Sequence, residues 1–357
     1  MQNDRGVFWT SVNEEIRREL LASKHAKESG DYLQSLVCPV CRKSESWTYK
    51  KRPSHLFCGR LNECGTTTPT KAMFPALFSS FRERFPSTKE SPNATASAYL
   101  ESRGLDPTKI KFRQSSFQVA QEEFSTVAFE LAPGVLNHRL IDYAGRDKNR
   151  NLGSYKGKVC PTYKNIDPKK PLWITEGYID ALSLADAKVG AQAAATLSAA
   201  HTPAEFLQEL PIGLKAVVLA FDSDHAGAKA TQKHQKWLAK HRPDLPVLVC
   251  IPPDRLDWND LLLQEKLNDE EFKTGFWRGR LFDAKTVHEY HETWCEKYGY
   301  GHQMLIFKRQ TYWCSAAKGK GKDAPEIELK QKRLINAELK LMYDLVDSSL
   351  EYQHQTV

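Results

Sequence analysis

From residue 171 onward, short apolar runs alternate with stretches whose apolar residues recur every three or four positions. The runs Leu172 to Thr175, Ala191 to Leu197, Ala216 to Phe221 and Val247 to Ile251 read as strands, and Tyr178 to Lys188, Pro203 to Leu210 and Ala226 to Lys240 as helices. Such alternation builds βαβ units around a mostly parallel sheet, so the expected fold class is α/β. Thr202-Pro203-Ala204-Glu205 predicts a helix start, with Thr202 as N-cap and Pro203 at the first helical position. Upstream the pattern is mixed. Val12, Ile16, Leu20 and Leu21 predict a helix over 11–29, entered from Ser11 or Asn13, stopped by Gly30 and packed on the module that follows. A short helix ending Tyr99-Leu100-Glu101-Ser102-Arg103-Gly104, with strand-like runs Ser125 to Leu131 and Val135 to Tyr143, predicts an α+β module. The polar, proline-containing run from Phe85 to Asn93 reads as a linker. Beyond 281, Ile327, Leu334, Ile335, Leu339, Met342, Leu345, Val346 and Leu350 fit one face of a long amphipathic helix after the Lys318 to Lys322 loop. The expected division is 1–84 for the N-terminal helix and metal-binding module, 85–97 for the linker, 98–170 for the α+β module, 171–280 for the parallel sheet and 281–357 for the C-terminal region.

Composition narrows this only slightly. At 357 residues and 41% hydrophobic content, the chain has room for two or three domains with at least one sizeable core. Fifty-one Lys plus Arg against 44 Asp plus Glu leave a net charge of +7, which favours a polyanionic partner. No apolar run approaches the roughly 18 residues of a membrane helix, and Met1-Gln2-Asn3-Asp4-Arg5 leads into a polar segment without a secretory core. The expectation is a cytoplasmic protein with no membrane partner. Eight cysteines are too few for a disulfide scaffold; four cluster, while Cys160, Cys250, Cys295 and Cys314 lie scattered as plain thiols.

The clustered four carry metal chemistry. Cys38-Pro39-Val40-Cys41 places two thiolates on one tight turn, and Cys58 with Cys64 can close a tetrahedron around one structural zinc ion. His55 is the competing ligand. Arg42, Lys43, Lys50, Lys51, Arg52 and Arg60 are interleaved with Trp47, Tyr49 and Phe57. Cations that hold phosphates beside aromatic faces that stack bases suit single-stranded nucleic acid, with Arg52 and Trp47 as candidate contacts, against a plain solvated surface.

A second constellation is acidic. Glu176-Gly177-Tyr178-Ile179-Asp180 follows one apolar strand and Asp222-Ser223-Asp224 another. In a doubly wound sheet, groups at the carboxyl ends of strands meet in the crevice where strand order reverses. Carboxylates gathered there hold Mg²⁺ or Mn²⁺, which can orient a nucleoside triphosphate; the bland reading makes Asp222 and Asp224 helix caps. Asp257-Trp258-Asn259-Asp260 returns to the same sheet edge, where Asp257 can join the metal ligands and Asp260 can equally serve as a cap.

These motifs resemble the two signatures of the Toprim fold, a Rossmann-like parallel sheet shared by DnaG-type primases, topoisomerases, OLD nucleases and RecR-type recombination proteins. Within that group the chain resembles the primases. It carries an N-terminal zinc ribbon; Tyr99 to Leu105 resembles the YLxxRGL opening of an α+β primase core, and His138 to Arg146 resembles its GRVIxFxGR segment. Cys41 stands where the usual primase site has a histidine, and the second cysteine pair is spaced by five residues. The resemblance implies Glu176 closest to the chemistry, Asp222 and Asp224 as magnesium ligands, Asp180 and Asp257 assisting, and Arg139, Arg146 and Lys156 on template or nucleotide phosphates. It implies a DNA primase acting on single-stranded template with nucleoside triphosphates. No phosphate loop of the GxxxxGK[ST] type occurs, so a replicative helicase is expected in trans, through the C-terminal region. The competing readings are a non-catalytic RecR-like DNA-binding protein and a Toprim nuclease.

Overall fold

Strands Leu172–Thr175, Gln192–Ala195 and Val217–Leu219 are buried along their whole length, as a sheet covered on both faces demands. Leu172–Thr175 is central, parallel to Gln192–Ala195 on one side and to Val217–Leu219 on the other. The five-stranded order runs Cys160–Pro161, Gln192–Ala195, Leu172–Thr175, Val217–Leu219, Val247–Val249, with Cys160–Pro161 antiparallel at its edge. Helices Tyr178–Ala185, Ala204–Gln208 and His225–His241 connect the strands, and Leu172, Ile174, Val217, Leu219, Phe221 and Leu238 form the core beneath them. The α/β class and the parallel sheet expected from the alternation are what the structure has.

The computed structural model describes residues 7–145, 147–186, 189–299, 303–307, 310–317 and 328–333. They divide into two compact units, Met1–Leu248 with Pro252–Glu271, and Val249–Ile251 with Phe272–Val357. The first unit holds three sheets. Strands Lys27–Ser29, Tyr32–Leu36, Ser46–Tyr49, His55–Cys58 and Thr67–Pro69 form an antiparallel meander that carries the clustered cysteines. Arg113–Val119, Glu122–Ala132, Val135–Leu140 and Asn149–Leu152 form a second antiparallel sheet, beside the helix Ala94–Ser102. The segment between is drawn onto the core, where the buried Thr95 Oγ1 donates to the Phe85 carbonyl at 2.8 Å.

Several expectations need correction. The first helix runs Val7–Leu21 rather than 11–29, and 27–29 is a strand whose hairpin turns at Gly30-Asp31, pairing Ser29 with Tyr32. Its period did not reveal that Phe8 and Trp9 already belong to the helix: the Phe8 amide donates to Glu101 Oε2 at 2.6 Å and Trp9 Nε1 to the Glu101 carbonyl at 2.8 Å. Thr202 is not a cap; the N-cap of Ala204–Gln208 is Pro203, and no side chain caps that short helix. In the second unit, helix Asp269–Asp283 from residue 272 onward and helix Val287–Tyr298 pack through Trp277, Leu281, Val287, Tyr290 and Trp294. They are followed by an antiparallel sheet of Gln303–Phe307, Gln310–Ala317 and Glu328–Arg333. Residues 328–333, expected on a long helix, are therefore a strand; the apolar positions 327 and 334–350 lie outside the described residues.

Candidate active site and metal centre

The cysteine turns are two facing knuckles. In the first, the Cys38 amide donates to the Lys43 carbonyl and the Arg42 amide to the Cys38 carbonyl; in the second, the amides of Cys64 and Gly65 converge on the Arg60 carbonyl. The Sγ atoms of Cys38, Cys41, Cys58 and Cys64 all lie within 4.8 Å of one another, with Cys38 to Cys64 at 3.9 Å and Cys41 to Cys58 at 3.8 Å. A tetrahedron with Zn–S bonds of about 2.3 Å has S···S edges of roughly 3.8 Å, whereas a disulfide needs about 2.05 Å. The four thiols fit a bound metal ion. The Thr66 hydroxyl and amide bring the Cys64 thiol down to about 6, toward the thiolate a metal requires. His55 stands apart from this set: it is buried against Ser54, Nδ1 to Oγ 3.2 Å, and burial pushes its imidazole down to about 4.

Strand Ser46–Tyr49 alternates, burying Ser46 and Thr48 and leaving Trp47 and Tyr49 half-buried on the other face. There Trp47 stacks on Phe57 at 4.5 Å between ring centroids, and Tyr32 meets Trp47 edge-on at 5.4 Å. Arg52 does not join this aromatic face; its Nη1 turns inward to the Gly104 carbonyl at 3.4 Å.

In the parallel sheet, register does the gathering. Ile174 pairs with Leu219, and the Ala220 amide donates to the Ile174 carbonyl at 2.8 Å, so Glu176 and Asp222 leave adjacent strands side by side at the point where strand order reverses. Asp180 sits in the first turn of helix Tyr178–Ala185. Asp224 is the N-cap of His225–His241, accepting from the Gly227 amide at 2.8 Å. Gly227 is required there, because a Cβ would overlap the Asp222 carbonyl oxygen. Asp257 caps helix Trp258–Leu263 in a reciprocal capping box with Asp260. Capping is thus real for Asp224, Asp257 and Asp260, but not for Glu176 or Asp222.

A cleft of about 180 Å³ is lined by the acids Glu176, Asp180, Asp222 and Asp257 together with Arg103, Arg139, Asn137 and Asn149. Burial, followed by Glu176, Asp257, Asp224 and Asp260, pushes the Asp222 carboxyl up to about 7. Asp180 is raised well above the usual range by burial, then by Asp257 and Asp222, with Arg103 opposing. Glu176 is raised by burial, against a hydrogen bond from the Ala199 amide. Acids that raise one another in this way are relieved by a divalent cation, and their oxygens are the donors Mg²⁺ or Mn²⁺ takes.

In the same cleft, Arg139 Nε donates to the Tyr99 hydroxyl at 3.0 Å, and Arg103 Nη2 lies 3.8 Å from Asp257 Oδ2. Burial alone would lift the Tyr99 phenol, yet Arg139, Arg103 and Lys71 hold it below its ordinary value. Asn259 ties these elements together: its Nδ2 donates to the Arg103 carbonyl at 2.7 Å and to Ser183 Oγ at 2.9 Å, and its amide to Asp180 Oδ1 at 3.3 Å. Of the residues expected here, Glu176, Asp180, Asp222, Asp257 and Arg139 line the cleft, and Asp224 caps beside it. Lys156 is exposed and is not among the lining residues, and Arg146 lies outside the described residues. Arg103 and Asn259 stood inside quoted motifs without a role; the arginine that ends a helix two residues before an apolar Leu105 was the available signal.

Residues 173–262 match the Toprim-like family model, so this segment is a Toprim-like domain. Among solved structures the chain is similar to a DNA primase domain from Pseudomonas aeruginosa, 15% identical over 58% of this chain and 68% of that chain, with a TM-score of 0.36. It is similar also to the RNA polymerase domain of Mycobacterium tuberculosis primase DnaG in complex with double-stranded DNA, 19% identical over 58% and 78%, with a TM-score of 0.37. A third is a chain of the bacteriophage T7 lagging-strand DNA polymerase assembly with primase domains, an RNA/DNA hybrid and dTTP, 21% identical over 50% and 89%, with a TM-score of 0.35. No curated protein matches the chain.

Proposed function

We propose that this protein is a DNA primase, synthesising short RNA primers on single-stranded DNA by metal-dependent nucleotidyl transfer. The observation that carries this reading is the cleft lined jointly by Glu176, Asp180, Asp222 and Asp257 and by Arg103 and Arg139. Glu176, Asp222, Asp224 and Asp257 would hold Mg²⁺ or Mn²⁺, which would supply charge stabilisation for nucleotidyl transfer. Glu176, whose carboxyl is raised by burial, accepts the proton of the attacking 3′-hydroxyl. That oxygen bonds to the α-phosphorus while the bond to pyrophosphate breaks. Arg103 and Arg139 hold the triphosphate, Arg146 and Lys156 take template or nucleotide phosphates, and Trp47 on the zinc module stacks a template base. A replicative helicase binds in trans through residues 281–357.

The test is synthesis from labelled nucleotides on single-stranded DNA with Mg²⁺ or Mn²⁺, run with ribo- and deoxyribonucleotides, comparing wild type with Asp222→Asn. Short ribonucleotide products from wild type alone are expected. Template cleavage instead would assign a nuclease; tight DNA binding without synthesis, even with a helicase added, would assign a binding protein.

A further inference from the structure

Helix Trp258–Leu263 begins on tethers to three different parts of the cleft. Buried Trp258 donates through Nε1 to the Ala220 carbonyl at 2.9 Å, two residues before Asp222. The Asn259 amide donates to Asp180 Oδ1 at 3.3 Å. The Asn259 side chain is fully buried, and its Nδ2 donates to the Arg103 carbonyl at 2.7 Å and to Ser183 Oγ at 2.9 Å. Those partners decide which way the side-chain amide points. A carbonyl only accepts, so the Arg103 oxygen admits the nitrogen and not Oδ1. Ser183 Oγ gives its own proton to the Ile179 carbonyl at 2.8 Å, and so accepts from the same nitrogen. Asn259 Oδ1 meets no protein group among the described residues. The donors of Asn259 are used and its side-chain acceptor is not, so the residue is matched to gathering oxygens. Arg103 is held by its backbone rather than by its guanidinium. Its Nε is buried without a hydrogen-bond partner among the described residues, and Nη2 stands 3.8 Å from Asp257 Oδ2, beyond hydrogen-bond range. Arg103 is the C-cap of helix Ala94–Ser102, so the bond from Asn259 joins that helix end to the helix that follows Asp257.

We propose that Asn259 is a positioning residue that sets the spacing between Arg103 and Asp180, so that the Arg103 guanidinium meets the phosphates of a nucleoside triphosphate in the cleft. The role rests on reading the cleft as a nucleotidyl-transfer site. The side chain acts through Arg103, because the bond to Asp180 comes from the main chain and is kept by any residue but proline.

The test is a double-mutant cycle in the full chain, Asn259→Ala and Arg103→Gln singly and together, read by equilibrium titration with ATP and Mg²⁺ and by melting temperature. Arg103→Gln is expected to weaken ATP binding roughly tenfold, through loss of a charged hydrogen bond, and Asn259→Ala roughly fivefold. The double variant should bind ATP about as Arg103→Gln does, because without the guanidinium the tether has nothing to aim. Thr48→Val is the control for stability alone. It removes a buried bond of the same kind, from Thr48 Oγ1 to the His55 carbonyl at 2.6 Å, and should lower the melting temperature with ATP affinity unchanged. Losses that multiply in the double variant overturn the role, as does an Asn259→Ala protein that melts lower yet binds ATP as wild type does. Should Asn259→Ala not fold, Asn259→Ser, which retains a donor, goes through the same cycle with a smaller expected loss. A wild type that shows this coupling in ATP binding but makes no primer sinks the primase reading alone. Primer synthesis with multiplying losses sinks the role of Asn259 alone.

Discussion

The thiol cluster and the acidic cleft both gather side chains that can take a cation, yet one is assembled and the other held apart. Cys38, Cys41, Cys58 and Cys64 already stand at the corners of a metal-sized tetrahedron, whereas among the described residues no three carboxylates form such a cluster. A closed site fixes the shape of its loops and leaves no ligand position free; an open one keeps its donors repelling until a cation and a phosphate arrive. On the proposed reading, the first belongs to stability and the second to turnover.

Removing the zinc tests that division most harshly. Because structural zinc supplies about 10–16 kcal/mol to small zinc modules, Cys38→Ser with Cys41→Ser should reduce metal content from one equivalent to none and unfold the meander of 27–69. The parallel sheet should persist by circular dichroism; a wild type purified without zinc would erase the contrast. The opposite pattern is expected at the cleft. Asp222→Asn or Glu176→Gln should lower synthesis on the order of 100-fold or more while leaving the melting temperature within a few degrees, and unfolding of either variant would make these acids structural. Between the two lies Gly227→Ala, whose methyl group meets the Asp222 backbone. A loss of about 1–3 kcal/mol in stability is expected, with a disproportionate loss of activity, measured by denaturant unfolding and synthesis in parallel.

The finest test is pH. Asp222 has a folded value near 7, above the usual value of 3.8, so its protonated form is favoured in the native state. Its contribution to stability is full below about 4 and fades as pH rises to 7. The metal-free protein should melt progressively lower between those limits. Mg²⁺ should reverse the drop, with affinity rising through pH 7, and Asp222→Asn should flatten the profile. A melting temperature insensitive to pH and Mg²⁺ would remove the cation from the cleft.

The parallel sheet was legible because strands buried on both faces leave unbroken apolar runs, and the zinc site because four thiols at knuckle spacing have few other uses. Glu176 and Asp222 were legible as strand-end acids for the same reason. Asn259 was not, since its partners Arg103 and Ser183 stand 156 and 76 residues away, and only folding reveals that pairing. Nor was the first helix start, where Phe8 and Trp9 answer to Glu101 rather than to local periodicity. Strand Glu328–Arg333 carries a single apolar residue, Leu329, and so no alternation to read, and helical spacing in its neighbours overrode it.

One end of the parallel sheet is closed by a strand of only two residues, Cys160–Pro161, paired antiparallel to Ala195 and Ala194. Proline has no amide hydrogen to offer, and two residues give an incoming strand almost nothing to register against. On that side the sheet cannot be lengthened by another copy, which guards a highly apolar core from edge-to-edge growth while the chain is folding.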